Sequence, residues 1–140
     1  MKENNLNIII HSEFIDKIHY GLTLATASRA LDYSVIVFFA MKSIYVLTDI
    51  KKNLGWTKLN TENGTSAITF DNDLKGKNIT SFEELLEMCQ DLEIKFMICE
   101  MGMKFLDLNS ADLRKDIKYS DGGLVTFFEK SNDNNSILFI

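Results

Sequence analysis

The sequence predicts an α/β domain of three layers, in which a mostly parallel sheet of about five strands is flanked by helices. Three observations predict it. Short apolar runs rich in β-branched or aromatic residues recur at Leu6–Ile10, Ser34–Phe39, Lys95–Cys99 and Ile137–Ile140, each with the length and character of a strand buried on both faces. Apolar residues at helical spacing fill much of the chain between them. No hairpin signal of the Asn-Gly kind joins neighbouring runs, so right-handed crossovers connect them and the strands lie parallel.

The elements follow in order. The first strand ends at His11-Ser12. Asp16 then stands as a helix cap, with Ile18, Leu22, Ala25, Ala30 and Leu31 forming the apolar face of the first helix. After the second strand, Met41–Leu47 reads as a short helix with Ile44 and Leu47 inward. Periodicity is lost over residues 49–80, which are rich in Asn, Thr, Gly and Lys and read as a long loop or insertion. Trp56 is its one large anchor, and Asn63-Gly64 marks a small turn within it. Ser81 followed by Glu84 is a capping box, and Phe82, Leu85, Leu86 and Cys89 repeat on one face of the helix it opens. The third strand leads into a helix over Met101–Leu106. Asp112–Ile117 is helical or turn, and Gly122–Lys130 is a last helix with Leu124, Phe127 and Phe128 inward. Ile137–Ile140 closes the chain as a buried strand.

Composition narrows the function. The chain has 140 residues, 46% hydrophobic and 25% charged, which suits one globular domain spanning 1–140 that folds without disulfides. A net charge of −5 without a dense basic run argues against nucleic-acid binding. No apolar stretch approaches the ~20 residues of a membrane helix. The segment Lys2–Asn5 lacks the apolar core of a signal peptide, so the expectation is a soluble cytoplasmic protein. Two cysteines are too few for a disulfide framework, and their spacing matches no zinc pattern. No metal and no cofactor is expected: phosphate-binding loop, nucleophile elbow and Cys-x-x-Cys are all missing.

In an open parallel sheet, ligands bind beyond the carboxyl ends of the strands. Three places qualify: His11-Ser12, Ala40-Met41-Lys42, and Cys99-Glu100-Met101-Gly102. Cys99 stands where a strand hands over to a helix, so backbone N–H groups and the positive helix end can favour a thiolate, the reactive form. A buried cysteine closing an apolar strand is the plainer reading. Cys89, on an apolar helix face, reads by pattern as core. His11 is either a proton donor or anion contact, or a donor to a nearby carbonyl. His19 reads as packing, and Lys42 either offers charge to an anionic sulfur species or is simply solvated.

Several segments resemble one known family. Phe96-Met97-Ile98-Cys99-Glu100-Met101-Gly102-Met103 resembles the strand–Cys–helix segment of DsrE/DsrF-like proteins. Ile8-Ile9-Ile10-His11-Ser12 with Asp16–Tyr20, Val37-Phe38-Phe39, Thr80–Leu86 and Gly122–Phe127 are similar to other parts of that fold, in the same order. The resemblance implies a Rossmann-like domain that assembles into homo-trimers or hexamers. It implies a sulfur carrier or sulfurtransferase that holds persulfide or thiosulfonate sulfur on cysteine and exchanges it with TusA-like or rhodanese-like partners. Cys99 matches the sulfur-bearing cysteine. Cys89, ten residues earlier, matches a second cysteine of the branch in which such a pair occurs. The resemblance assigns no catalytic role to His11 or Lys42; with Ser12, Glu100, Met101 and Gly102 they stay as binding or supporting candidates. Two other functions remain open: a non-catalytic oligomer subunit with both thiols buried, and a thiol redox protein that forms sulfenic acid or a Cys89–Cys99 disulfide.

Overall fold

The computed structural model describes residues 4–130 and 135–140. Five strands form one parallel sheet: β1 (Asn5–Ile10), β2 (Ser34–Phe39), β5 (Lys95–Cys99), β6 (Ser120–Gly122) and β7 (Asn135–Phe139), in the order β6-β5-β2-β1-β7. The three-layer expectation holds, and every pairing in this sheet is parallel. The fifth strand is β6. The sequence conceals it because Ser120-Asp121-Gly122 has neither apolar character nor β-branching; only its register beside Met97–Cys99 makes it a strand.

The helices are α1 (Ile15–Ala30), α2 (Ala67–Gly76), α3 (Phe82–Asp91), α4 (Glu100–Phe105) and α5 (Leu124–Lys130). Strand alternation sorts the sheet's side chains onto two faces. Ile10 meets α1 at Gly21, so Ile8, Ile10, Val37, Phe39, Phe96 and Ile98 share the α1 face. Helix α3 packs beside α1 on that face. Phe38 meets Phe127 of α5 at 5.0 Å between ring centroids, which puts Phe38, Met97 and their rows on the opposite face.

Several expectations are corrected. Asp16 is not the cap of α1; Phe14 occupies that position, its N–H bonded to Ser12 Oγ, while Asp16 lies in the first turn and accepts from the Glu62 N–H. Ala30 and Leu31, the last residue of α1 and its C-cap, are exposed. Met41–Leu47 is a 3-10 helix, though Ile44 and Leu47 do point inward. In α5 only Phe127 is buried; Leu124 and Phe128 are exposed. Strand β7 is an exposed sheet edge rather than the buried strand expected, and Phe139 is 70% exposed.

Residues 49–80 carry elements of their own. The two-stranded antiparallel pair β3 (Asp49–Ile50) and β4 (Asn53–Leu54) comes first, followed by a 3-10 turn over Gly55–Lys58 and then α2. Ser66 caps α2 and Gly64, at φ +90°, makes the turn before it. Buried Trp56 does anchor the segment, packing on Phe82 at 5.1 Å. Ser81 caps α3 by accepting from the Glu84 N–H at 3.3 Å. Asp71, buried in α2, accepts from the Phe82 N–H at 2.8 Å, so α2 satisfies a second free donor of that helix end.

Candidate functional site

Cys99 is the last residue of β5 and the N-cap of α4, in extended conformation. Phe96, Met97 and Ile98 before it are buried, so the strand is held by burial on both faces. Alternation gives Cys99 the face of Met97, on the α5 side. Its register partner is Gly122, and α5 begins two residues later. The thiol is well covered, at 4% exposure. Among the described residues its side chain makes no helix-capping hydrogen bond.

Gly102 lets α4 lie close against the 3-10 helix Met41–Leu47. A Cβ there would lie 2.6 Å from Ile44 Cδ1 and 2.9 Å from the Met41 backbone nitrogen. Both distances are below contact, so α4 rests against the 3-10 helix at a separation that only glycine permits. Met41 itself has φ +51°. Gly102 thus has a positional role, whereas Glu100 and Met101 are exposed.

His11, Ser12 and Lys42 are brought together at the carboxyl ends of β1 and β2, in a cleft of about 310 Å³ completed by Glu13, Phe14, Met41 and Phe105. Lys42 pairs with Glu13 at 3.1 Å. The His11 ring stacks on Phe139 at 5.7 Å, and its backbone N–H donates to the Ile140 carbonyl at 2.6 Å. Cys99 is not in this cleft. Extending the register, His11, Ala40 and Cys99 fall in one row with β2 between the outer two. Two strand spacings, about 10 Å, separate them. His19 is buried against Phe70, its Nε2 2.9 Å from the Thr80 carbonyl, a packing role.

Cys89 lies elsewhere. It belongs to the buried side of α3, with no exposed surface, and burial pushes its thiol pKa up to about 12. The Cys89 carbonyl accepts from the Ile94 N–H at 3.0 Å, just before β5 begins. Cys99 is five strand steps further along, roughly 16 Å, and on the other face of the sheet. A disulfide needs Cα atoms within about 7 Å, so this fold does not join the two within one chain.

One polar cluster escaped the sequence reading. Arg114, 7% exposed, forks onto both oxygens of Glu83 at 2.7 and 2.8 Å and onto Asp116 at 2.8 Å. Trp56 Nε1 donates to the same Glu83 at 3.0 Å. Burial works against the charge of Arg114, but the bonds to Asp116 and Glu83 outweigh it and hold its pKa above the ordinary value. Reciprocally, the Arg114 hydrogen bond holds the Asp116 carboxyl below the usual range. The cluster ties residues 49–80 and the chain after α4 to α3. Nothing local in the sequence pairs residues so far apart.

The sequence profile of the DsrE/DsrF/DrsH-like family matches residues 41–139, most of the chain and the whole segment from the 3-10 helix to β7. The chain belongs to that family. Among proteins similar to this chain, the sulfur carrier protein DsrE2 of Allochromatium vinosum is 26% identical over the full length of both chains. The uncharacterized protein YrkE of Bacillus subtilis is 24% identical over 95% of this chain and 94% of its own. The DsrE-like architecture is seen again in the crystal structure of the ychN protein from E. coli, which covers 99% of this chain with a TM-score of 0.61 at 12% identity, a likeness of fold alone. No helix among the described residues is long and apolar enough to cross a membrane.

Proposed function

We propose that the protein is a sulfur carrier whose sulfur is borne on Cys99 and passed to the thiol of a partner protein in a sulfur relay. The observation that carries this reading is the placement of Cys99 in a member of a sulfur-relay family. It closes a central strand at the carboxyl end of the sheet, where parallel α/β folds bind ligands, and begins a helix whose first N–H groups lack intrahelical acceptors. In loading, the Cys99 thiolate attacks the outer sulfur of a donor persulfide. A Cys99–S bond forms, the donor's S–S bond breaks, and the donor leaves as its thiolate. Handover is the same displacement by the partner's thiolate on the outer sulfur, which returns Cys99 as thiolate with no net oxidation. With tetrathionate, attack on an inner sulfur expels thiosulfate and leaves an S-thiosulfonate. Cys99 is covered at rest, so loading requires α4 or the Gly122–Leu124 turn to yield. Cys89 stays protonated in the core throughout.

The apolar side chains exposed on α5 and β7 (Val125, Phe139 and neighbours) and the unpaired edge of β7 support a homo-oligomer in which further copies cover them. A carrier that must return to free thiol fits the reducing cytoplasm.

Intact-mass spectrometry of the reduced protein after polysulfide, tetrathionate or thiosulfate tests the carrier reading. A gain of about 32 Da per persulfide sulfur, or about 112 Da for the S-thiosulfonate, should vanish in Cys99→Ser and persist in Cys89→Ser. The cover over both cysteines favours a second reading, a non-catalytic oligomer subunit. That reading wins if no donor loads the protein and a small alkylating reagent modifies neither thiol in the native state.

A further inference from the structure

A second concave site lies at the amino end of the sheet, away from Cys99. It is a cleft of about 680 Å³, within the range of small-molecule sites. On the α5 face of the sheet Ile36 and Met97 give it an apolar lining. Three lysines from three different elements line it: Lys95 opens β5, Lys118 precedes β6, and Lys130 ends α5. The Lys118 segment is held in place, because its N–H donates to Gln90 Oε1 at 2.8 Å.

The charge here runs against the rest of the molecule. The chain carries −5 overall, yet among the described residues three lysines line the cleft against one carboxylate, that of Glu93. Among the described residues none of the three lysines has a carboxylate partner, whereas Lys17, Lys42 and Lys75 do.

We propose that this cleft binds a small organic anion with an apolar body, an aromatic or aliphatic sulfonate or carboxylate. Its hydrocarbon part lies against the lining on the side of Ile36 and Met97, and its charged group meets the lysines. Apolar contact supplies affinity, and the cationic rim selects the anion over a neutral molecule of the same shape. The site is independent of the cysteine chemistry, since Lys95 and Cys99 are at opposite ends of β5.

Naphthalenesulfonate is a suitable probe, with naphthalenemethanol as the uncharged match and inorganic sulfate as the charge without the rings. Each is titrated into the full chain while backbone amide resonances are followed by NMR. The sulfonate should bind saturably and shift the amides of Lys95, Tyr119 and Ser120. The alcohol and sulfate should bind at least several-fold more weakly. Replacing all three lysines by glutamine should weaken sulfonate binding by roughly tenfold. These side chains are exposed, so the variant should keep its circular dichroism; Lys118→Gln alone serves if the triple variant does not fold. Sulfur loading at Cys99 should be unchanged in either. Equal affinity for the alcohol, shifts centred elsewhere, or no loss in the lysine variants would overturn the proposal. So would self-association, seen by light scattering, that buries these residues and leaves the probe unbound.

Discussion

The contact of Gly102 with the 3-10 helix gives a prediction whose sign is informative. On helix propensity alone, Gly102→Ala should stabilise the protein, by up to about 1 kcal/mol. The structure demands the reverse. The new methyl would stand 2.6 Å from Ile44 Cδ1 and 2.9 Å from the Met41 backbone nitrogen. Ile44 is fully buried and has no solvent to retreat into, and a backbone nitrogen cannot rotate away. Overpacking of this kind costs about 1–3 kcal/mol, and because one of the clashing atoms is backbone the upper part of that range applies, leaving a net loss of up to about 2 kcal/mol after the propensity gain. At roughly 4 °C per kcal/mol for a chain of this size, Tm should fall by up to about 8 °C. Because Cys99 caps the helix that must back away, its alkylation by iodoacetamide in the native state should speed up several-fold. Ile44→Val removes the Cδ1 that makes one of the two contacts, so the double variant should lose less than the sum of the singles, by at least about 0.5 kcal/mol. Thermal melts and timed alkylation with mass readout measure all of this. A Tm for Gly102→Ala at or above wild type would refute the argument that this close approach sets the position of α4 and its cysteine.

Three further outcomes follow from the Arg114 cluster and from Cys89. Arg114→Met should cost about 2–3 kcal/mol in urea denaturation, below the 3–5 typical of a fully buried broken pair, because Glu83 and Asp116 keep solvent access; a loss under about 1 kcal/mol would mean the cluster does not hold residues 49–80. Asp116 titrates below its usual range in the fold, so its contribution is present above the ordinary carboxylate pKa and is lost as pH falls through the lowered value; Asp116→Asn should flatten the acid limb of the stability profile. Cys89 has its folded pKa raised to about 12, so its contribution is intact below the pKa of the unfolded thiol, about 8.5, and is lost as pH rises from there towards 12. Subtracting the profile of Cys89→Ala from wild type should isolate that slope, and identical profiles would place Cys89 outside the core.

The sequence by itself determined the layer architecture, because β1, β2 and β5 are continuous apolar runs and a strand buried on both faces needs no partner to be recognised. It also determined the capped start of α3, since Ser81 and Glu84 are a local signal, and the place of Cys99 at a strand end. Tertiary structure decided what depends on neighbours. Strand β6 exists only through its pairing with β5, and Ser120-Asp121-Gly122 has no apolar pattern to announce it. Residues Ile137–Phe139 look like a central strand in composition, but the crossover from β6 carries β7 to an edge, where the same side chains face outward. The segment 49–80 hides α2 because a ten-residue helix that packs through Ala67, Asp71 and Leu74 shows little apolar periodicity. For the site, the sequence placed Cys89 and Cys99 ten positions apart and left their separation in space open. The sheet settled it, because a helix on one face and a strand end aimed at the other hold the two thiols apart, whatever their spacing along the chain.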